Sequence, residues 1–474
     1  MQIVWLFVFL AQISLVALTD KTDDRITLLP DYEGPEISFK QYSGYLPLSS
    51  GNELFYWLTQ SSSSTSQTDP VLLYLNGGPG CSSMNALMTE MGPYRITNDG
   101  KKLTNNPFAW NRFAHIIYLD APAGVGLSKN NVGNYTFTDS QVASDNLEAL
   151  LQFFQRFPEL TANDFYVGGE SYAGTYVPML ADLIIKNAKE FPTFKGIIVG
   201  NGCLNEKLRF NSQIVFNYNH DFIAEEDYRN AVISCCNGKS AETCDWYALA
   251  NGSRRKCAEI ANSLEEANFY SGLDPYFINY SCYFNESSDS IEQPHSSIKS
   301  TSFHFRRRKS QRFELATKQS CLVENVYVPY INREDVQRAI HVVPQIEFES
   351  CSEKISEHYI VEYEDMSEFV DRIVAAEKQV LFFNGDADTV CSFVHNQKFV
   401  KLLGYQLISS RRAWNYANKV PSVAGYYTGY NGVDFLTIQN GGHFSASTLE
   451  KPRESLQMFY NFLRGTHNYS EPVL

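Results

Sequence analysis

The sequence predicts an α/β fold: a central mixed, mostly parallel sheet flanked by helices, with an inserted disulfide-rich cap. Three observations carry this. Short, wholly apolar runs recur, and each ends in a turn rich in Gly, Asn or Asp. Segments with helical spacing separate several of these runs. From about Gly202 to Tyr330 the texture changes, apolar runs thin out and most of the cysteines gather. A strand apolar throughout is buried on both faces, which is the signature of a sheet covered by helices on both sides.

In chain order, the apolar stretch Ile3–Leu18 ends in small residues before the polar TDKTDDR and is short for a bilayer span. It reads as a signal peptide over 1–19, cut around Ala17 to Thr19. Leu54–Thr59 reads as a strand, Ser61–Ser66 as a polar loop, and Val71–Leu75 as the first buried strand. His115–Leu119, Asp164–Val167 and Phe194–Val199 follow, with helices over Ser140–Phe157 and Thr175–Phe191. This gives a first core part over 20–201. The stretch 202–330 is the cap, helical and loop-rich, with a basic knot at Arg306–Lys309. Strand-like runs resume at Gln379–Phe383 and Phe435–Ile438, and 331–474 is the second core part. The 474 residues suffice for one large core plus an inserted unit.

The net charge of −14 excludes nucleic acid as a partner class, which needs a clustered positive footprint. Behind a signal peptide, the ten cysteines point to disulfides, and none stands with histidines at zinc-ligand spacing. No metal, nucleotide or flavin motif is present, so no cofactor is expected. After the leader no stretch reaches membrane-span length. Sequons at Asn134, Asn251, Asn279, Asn285 and Asn468 predict glycosylation.

In an α/β sheet, sites form beyond the carboxyl ends of the strands, where the Gly, Asp, Ser and His clusters of this chain stand. Gly169-Glu170-Ser171-Tyr172-Ala173-Gly174 follows a strand and opens a helix, the setting of a nucleophile elbow. A serine on so sharp a turn needs small residues two positions either side, here Gly169 and Ala173. A serine hydroxyl also needs a base. In the chain order Ser, acid, His, the acid is Asp388, with Asp386 open on spacing alone, and the base is His443. All follow apolar strands at Gly-rich turns, as expected of an α/β-hydrolase. The backbone N–H groups of Gly78, in Asn76-Gly77-Gly78-Pro79-Gly80, and of Tyr172 are the candidate oxyanion donors.

With these segments assembled, the chain resembles the serine carboxypeptidase family. The blocks that carry the likeness are Asn76-Gly-Gly-Pro-Gly-Cys-Ser-Ser83, Asp120-Ala-Pro-Ala-Gly-Val-Gly-Leu-Ser128, Gly169-Glu-Ser-Tyr-Ala-Gly174, Gly200-Asn-Gly202, Asn384-Gly-Asp-Ala-Asp388 and Gly442-His443. The resemblance implies a lysosomal or extracellular exopeptidase, acting best in acid on peptides with a free C-terminus. It implies that Asn76, Gly77, Glu90 and Glu170 hold the substrate carboxylate, the two glutamates sharing a proton. It implies the bridges Cys81–Cys351, Cys235–Cys257, Cys236–Cys244 and Cys282–Cys321. Cys203 and Cys391 are left unassigned, Cys391 at the position where the family often keeps a free thiol. It further implies cutting near Arg306–Lys309. It leaves open a homodimer and lysosomal glycosidase partners, as well as two other functions: acyl transfer with the same triad, or a protective scaffold. Two departures bear on specificity: Phe444-Ser445-Ala446 replaces the family's Met-Val-Pro, and Tyr74 replaces its Trp.

Overall fold

The computed structural model describes residues 21–97, 99–281, 326–417, 420, 422–447 and 449–473. Ten strands form its main sheet: β1 (Gln41–Pro47), β2 (Glu53–Thr59), β3 (Val71–Leu75), β4 (His115–Leu119), β5 (Phe165–Glu170), β6 (Phe194–Gly200), β7 (Gln379–Gly385), β8 (Leu407–Tyr416), β9 (Ser422–Tyr430) and β10 (Val433–Ile438). Their spatial order is β1-β2-β4-β3-β5-β6-β7-β10-β9-β8. The six strands from β4 to β10 pair in parallel, and antiparallel pairs close both ends. This is the α/β-hydrolase fold expected from the sequence.

The apolar runs explain the layering. Side chains alternate across a strand, so Val71, Leu73, Val167, Ile197 and Phe382 enter one core, and Leu72, Tyr74, Tyr166, Ile198 and Leu381 enter the other. Helices α1 (Asp139–Arg156), α2 (Ala173–Lys186) and, after the cap, Ser367–Ala375 contribute to the first core. The helix Pro452–Leu463 closes the second, with Phe459 stacked on Trp110 at 4.1 Å between ring centroids. Thr138 caps α1 by accepting from the Gln141 N–H at 3.2 Å.

Between β6 and β7 the described cap residues form four helices, Glu206–Asn219, Glu225–Cys235, Trp246–Ala250 and Arg255–Glu265, around a separate apolar cluster that includes Phe210, Ile214 and Trp246. Cys235–Cys257 and Cys236–Cys244 staple it, and Cys81–Cys351 forms as well. Cys282, Cys321, Asn285, the basic knot and the leader lie outside the described residues. One expectation is corrected: Cys391 is not free but bonded to Cys203. The reason is topological. Ile198 faces Leu381 across the β6–β7 pair, so both turns leave neighbouring strands at one edge and bring the two Cα atoms to 5.3 Å. Among the described residues no helix is long and apolar enough to cross a membrane.

Candidate active site

The parallel register brings the chemistry together. Leu75 pairs with Gly169, Glu170 and Phe383 with Gly200, and Gly385 with Ile438. Asn76, Ser171, Asn201, Asp388 and His443 therefore leave the same edge of the sheet. A cavity of 370 Å³ lined by Gln379, Asp434 and His467 sits at the opposite end, beside the first residues of β7 and β10, and is separate from these groups.

Ser171 occupies the elbow with φ at 62°, in the left-handed region that a side-chain-bearing residue rarely adopts. The turn is held from outside, as the Ser171 N–H donates to Gly200 O at 3.2 Å and its carbonyl accepts from the Cys203 N–H at 2.9 Å. Glycine at 169 is required, because a Cβ there would lie 2.4 Å from Leu75 O and 2.7 Å from the Ala173 Cβ. The loop after β3 passes equally close, since a Cβ on Gly77 would lie 2.4 Å from the Tyr172 N and 2.9 Å from the Ser171 Cβ. Gly77 thus runs directly over the elbow.

His443 and Asp388 are buried, and His443 Nδ1 hydrogen-bonds Asp388 Oδ2 at 2.9 Å. Asp388 also accepts from Asn201 Nδ2 at 2.8 Å and from the N–H groups of Val390 and Cys391 at 2.9 and 3.1 Å. Asp386, the other acid open on spacing, accepts from the Asn440 N–H at 2.6 Å instead. With Nδ1 committed to the carboxylate, His443 Nε2 is left as a buried atom without a hydrogen-bond partner. A hairpin of the cap packs over this pair. The His443 N–H donates to Tyr276 O at 2.7 Å and the Thr389 N–H to Pro275 O at 3.1 Å, while the Tyr276 ring lies edge-on to His443 at 5.0 Å.

The same edge of the sheet carries a carboxyl pair. Asn76 Nδ2 donates to Glu170 Oε1 at 2.6 Å, and the Tyr74 hydroxyl donates to Glu170 Oε2 at 3.1 Å. Tyr74 thus keeps a donor at the position of the family's Trp. Asn85 Nδ2 donates to Glu90 Oε1 at 3.2 Å, and Glu90 faces Glu170 and Asn76. Glu90 Oε2 has no donor when both carboxyls are ionised; a proton on either would supply one. Burial pushes the Glu90 carboxyl up to about 7, against the lowering effect of its contacts with Glu170 and Asn76. Asn76 Oδ1 is likewise buried without a partner.

The Tyr172 ring is anchored through Asp139, which accepts from the hydroxyls of Tyr172 and Tyr359 at 2.7 and 2.9 Å and from the N–H groups of Glu362 and Tyr363 at 2.7 and 3.1 Å. Sequence reasoning missed this anchor. Its only signal was an acidic residue at a helix start, which usually does no more than meet the helix dipole.

The whole span 30–465 matches the model of the serine carboxypeptidase family. The chain belongs to the serine carboxypeptidase family. It is 35% identical over 488 residues to the Caenorhabditis elegans serine carboxypeptidase ctsa-4.1, covering 99% of this chain and 98% of that one. To the mouse lysosomal protective protein it is 32% identical over 457 residues, 93% of each chain. The crystal structure of Kex1(delta)p, a prohormone-processing carboxypeptidase from Saccharomyces cerevisiae, superposes with a TM-score of 0.73 at 21% identity, over 94% of this chain and 96% of that one, which speaks to the fold. This serine carboxypeptidase is accordingly a hydrolase that acts on peptides.

Proposed function

We propose that the protein removes C-terminal residues from peptides in acidic surroundings through an acyl-enzyme on Ser171. His443 Nε2 takes the Ser171 hydroxyl proton as Oγ attacks the last peptide carbonyl. Asp388 holds the imidazole tautomer and stabilises the imidazolium. The N–H groups of Gly78 and Tyr172 receive the oxyanion. The imidazolium returns the proton to the departing amine, and the terminal amino acid leaves. Water, deprotonated by the same imidazole, then cleaves the ester.

The observation that carries this reading over acyl transfer is the buried pair Glu90 and Glu170 next to Asn76. A carboxyl that keeps its proton can donate to the terminal carboxylate, whereas an ionised pair repels it. Acidic surroundings follow from that need. Passage through the secretory pathway fits the leader and the disulfides, and the exposed positions of Asn134, Asn251, Asn279 and Asn468 suit glycosylation.

The test is release of free amino acid from an N-blocked dipeptide between about pH 4 and 8, with Ser171→Ala alongside. Release that is strongest in acid and abolished in the variant is expected. No release, with a fluorophosphonate still labelling Ser171, would turn the reading to acyl transfer.

A further inference from the structure

Asp139 is the first residue of α1, but Thr138 already caps that helix. The carboxylate of Asp139 serves other segments instead. It is 1% exposed, and both its oxygens are spent far along the chain. Oδ1 accepts from the hydroxyls of Tyr172 and Tyr359, and Oδ2 from the N–H groups of Glu362 and Tyr363. Burying a carboxylate is costly unless it is hydrogen-bonded, and these neutral donors offset the cost. The same bonds fix the donors in place.

Tyr172 is one of them, and it directly follows Ser171. Its ring stands edge-on to Tyr176 at 5.3 Å and to Tyr359 at 5.5 Å, so the side chain is held at its body and at its tip. The backbone here is under tension, because the left-handed φ of Ser171 persists only where its surroundings hold it. A tie on Tyr172 is a tie on the elbow.

The remaining donors, at Tyr359, Glu362 and Tyr363, belong to a segment that also grips the loop carrying Gly78. Cys351 is bonded to Cys81, the Ser82 N–H donates to Ser350 O at 2.8 Å, and the Ser352 N–H donates to Gly80 O at 2.8 Å. A Cβ on Gly78 would lie 3.0 Å from Cys81 Sγ, so the bridged cysteine stands against Gly78. A Cβ on Gly80 would lie 3.3 Å from Ile355 Cγ2, in the short helix Glu353–His358 that runs between the two grips. One segment, 350–363, therefore reaches the Gly78 loop at one end and Tyr172, through Asp139, at the other.

We propose that Asp139 is a positioning residue for the oxyanion site: it clamps Tyr172 to segment 350–363 and so fixes the spacing between the Tyr172 and Gly78 N–H groups. The inference rests on the acyl-enzyme reading, in which those two groups receive the oxyanion. Donors aimed at the oxyanion act on the transition state more than on bound substrate, so a loosened clamp lowers kcat and spares KM. The clamp is made of hydrogen bonds rather than charge. An amide at 139 preserves it, its oxygen accepting from the two N–H groups and its nitrogen donating to the two hydroxyl oxygens, which can rotate to accept. Alanine cannot.

The experiment compares wild type with Asp139→Ala, Asp139→Asn and Tyr172→Phe. It measures kcat and KM on an N-blocked dipeptide, the rate at which a fluorophosphonate labels Ser171, and the final labelled fraction. Dividing kcat by that fraction counts only folded sites. Expected are a fall in kcat per labelled site of about tenfold or more in Asp139→Ala and about threefold or more in Tyr172→Phe, with KM within about twofold. Labelling slows in parallel, and Asp139→Asn stays within about threefold of wild type. If Asp139→Ala does not fold, Tyr172→Phe decides alone. Unchanged kcat per labelled site overturns the inference and makes Asp139 a support of the fold only. A raised KM at constant kcat overturns it by moving the effect to substrate binding. An Asp139→Asn as slow as Asp139→Ala overturns it by making charge the cause. A wild type that is labelled yet releases no amino acid overturns the carboxypeptidase reading instead, and the labelling rates, which depend on the same donors, still decide the inference.

Discussion

Glu90 sits 1% exposed beside Glu170 with its carboxyl pushed up to about 7, so at the acid end of the working range it carries its proton. In the proposed reaction the neutral form donates to the terminal carboxylate, and as pH rises through about 7 the group ionises and that binding should weaken. The expected result is a KM that climbs from acid to neutral pH while kcat moves less. In Glu90→Gln, which donates but cannot titrate, KM stays flat over the same range. A wild-type KM indifferent to pH would refute this account. At this scale the sequence was informative where a residue's neighbours in the chain constrain it. The candidates Ser171, Asp388 and His443 could be picked from their turns, and the contact with His443 Nδ1 favours Asp388 over Asp386. Glu90 was legible through resemblance alone, because nothing around a glutamate at a helix end signals that it will be buried. The four-donor shell of Asp139 and the approach of Glu450 to Gly442 join distant segments and leave no local pattern.

The bridge Cys203–Cys391 belongs to the scale of elements, because it fastens the turn after the elbow's neighbour β6 to the acid-bearing turn after β7. It closes a separation of 188 residues, for which the chain-entropy account gives about 5 kcal/mol of stability, of which such links typically deliver about 2–4 kcal/mol. Replacing both cysteines by serine should lower the urea midpoint of unfolding by a corresponding amount. It should also loosen the Cys391 N–H contact to Asp388, so kcat falls along with stability. An unchanged midpoint would show that the turns hold themselves. Buried strands were the easiest elements to read, with His115–Leu119 and Val71–Leu75 falling where their apolar runs stand. The hairpin β8–β9 was missed. Leu407–Tyr416 is an edge strand with most of its residues exposed, and Arg411 and Arg412 lie over Tyr426 and Tyr427. Charges on an edge strand guard against pairing with other chains, and the same charges erase the apolar pattern that marks a strand.

For the whole molecule, the buried carboxyls set how stability depends on pH. Burial raises Glu90 to about 7 and Asp120 and Asp274 to about 6. Between the ordinary carboxyl range and these values the folded chain binds more protons than the unfolded one, so stability falls as pH rises through that window. Asp99, Asp245 and Asp335 are shifted the other way by hydrogen bonds and nearby cations, and their contribution is lost as pH falls below the ordinary range. Calorimetric scans should therefore place the highest Tm near about pH 4 to 5, with a decline toward neutrality. A Tm that climbed steadily from about pH 5 to 7.5 would contradict this assignment.

The sheet interleaves the two stretches of chain on either side of the cap: β6 precedes the insertion, β7 follows it, and they lie side by side. Two bridges, Cys81–Cys351 and Cys203–Cys391, cross the same divide. The proposed nucleophile Ser171 is encoded on one side, and the proposed base His443 and its partner Asp388 on the other. A protease that opened the chain between 282 and 325 would therefore yield two polypeptides, neither able to catalyse alone, that stay welded into one working body. Maturation by scission could edit the cap without risking separation of the parts.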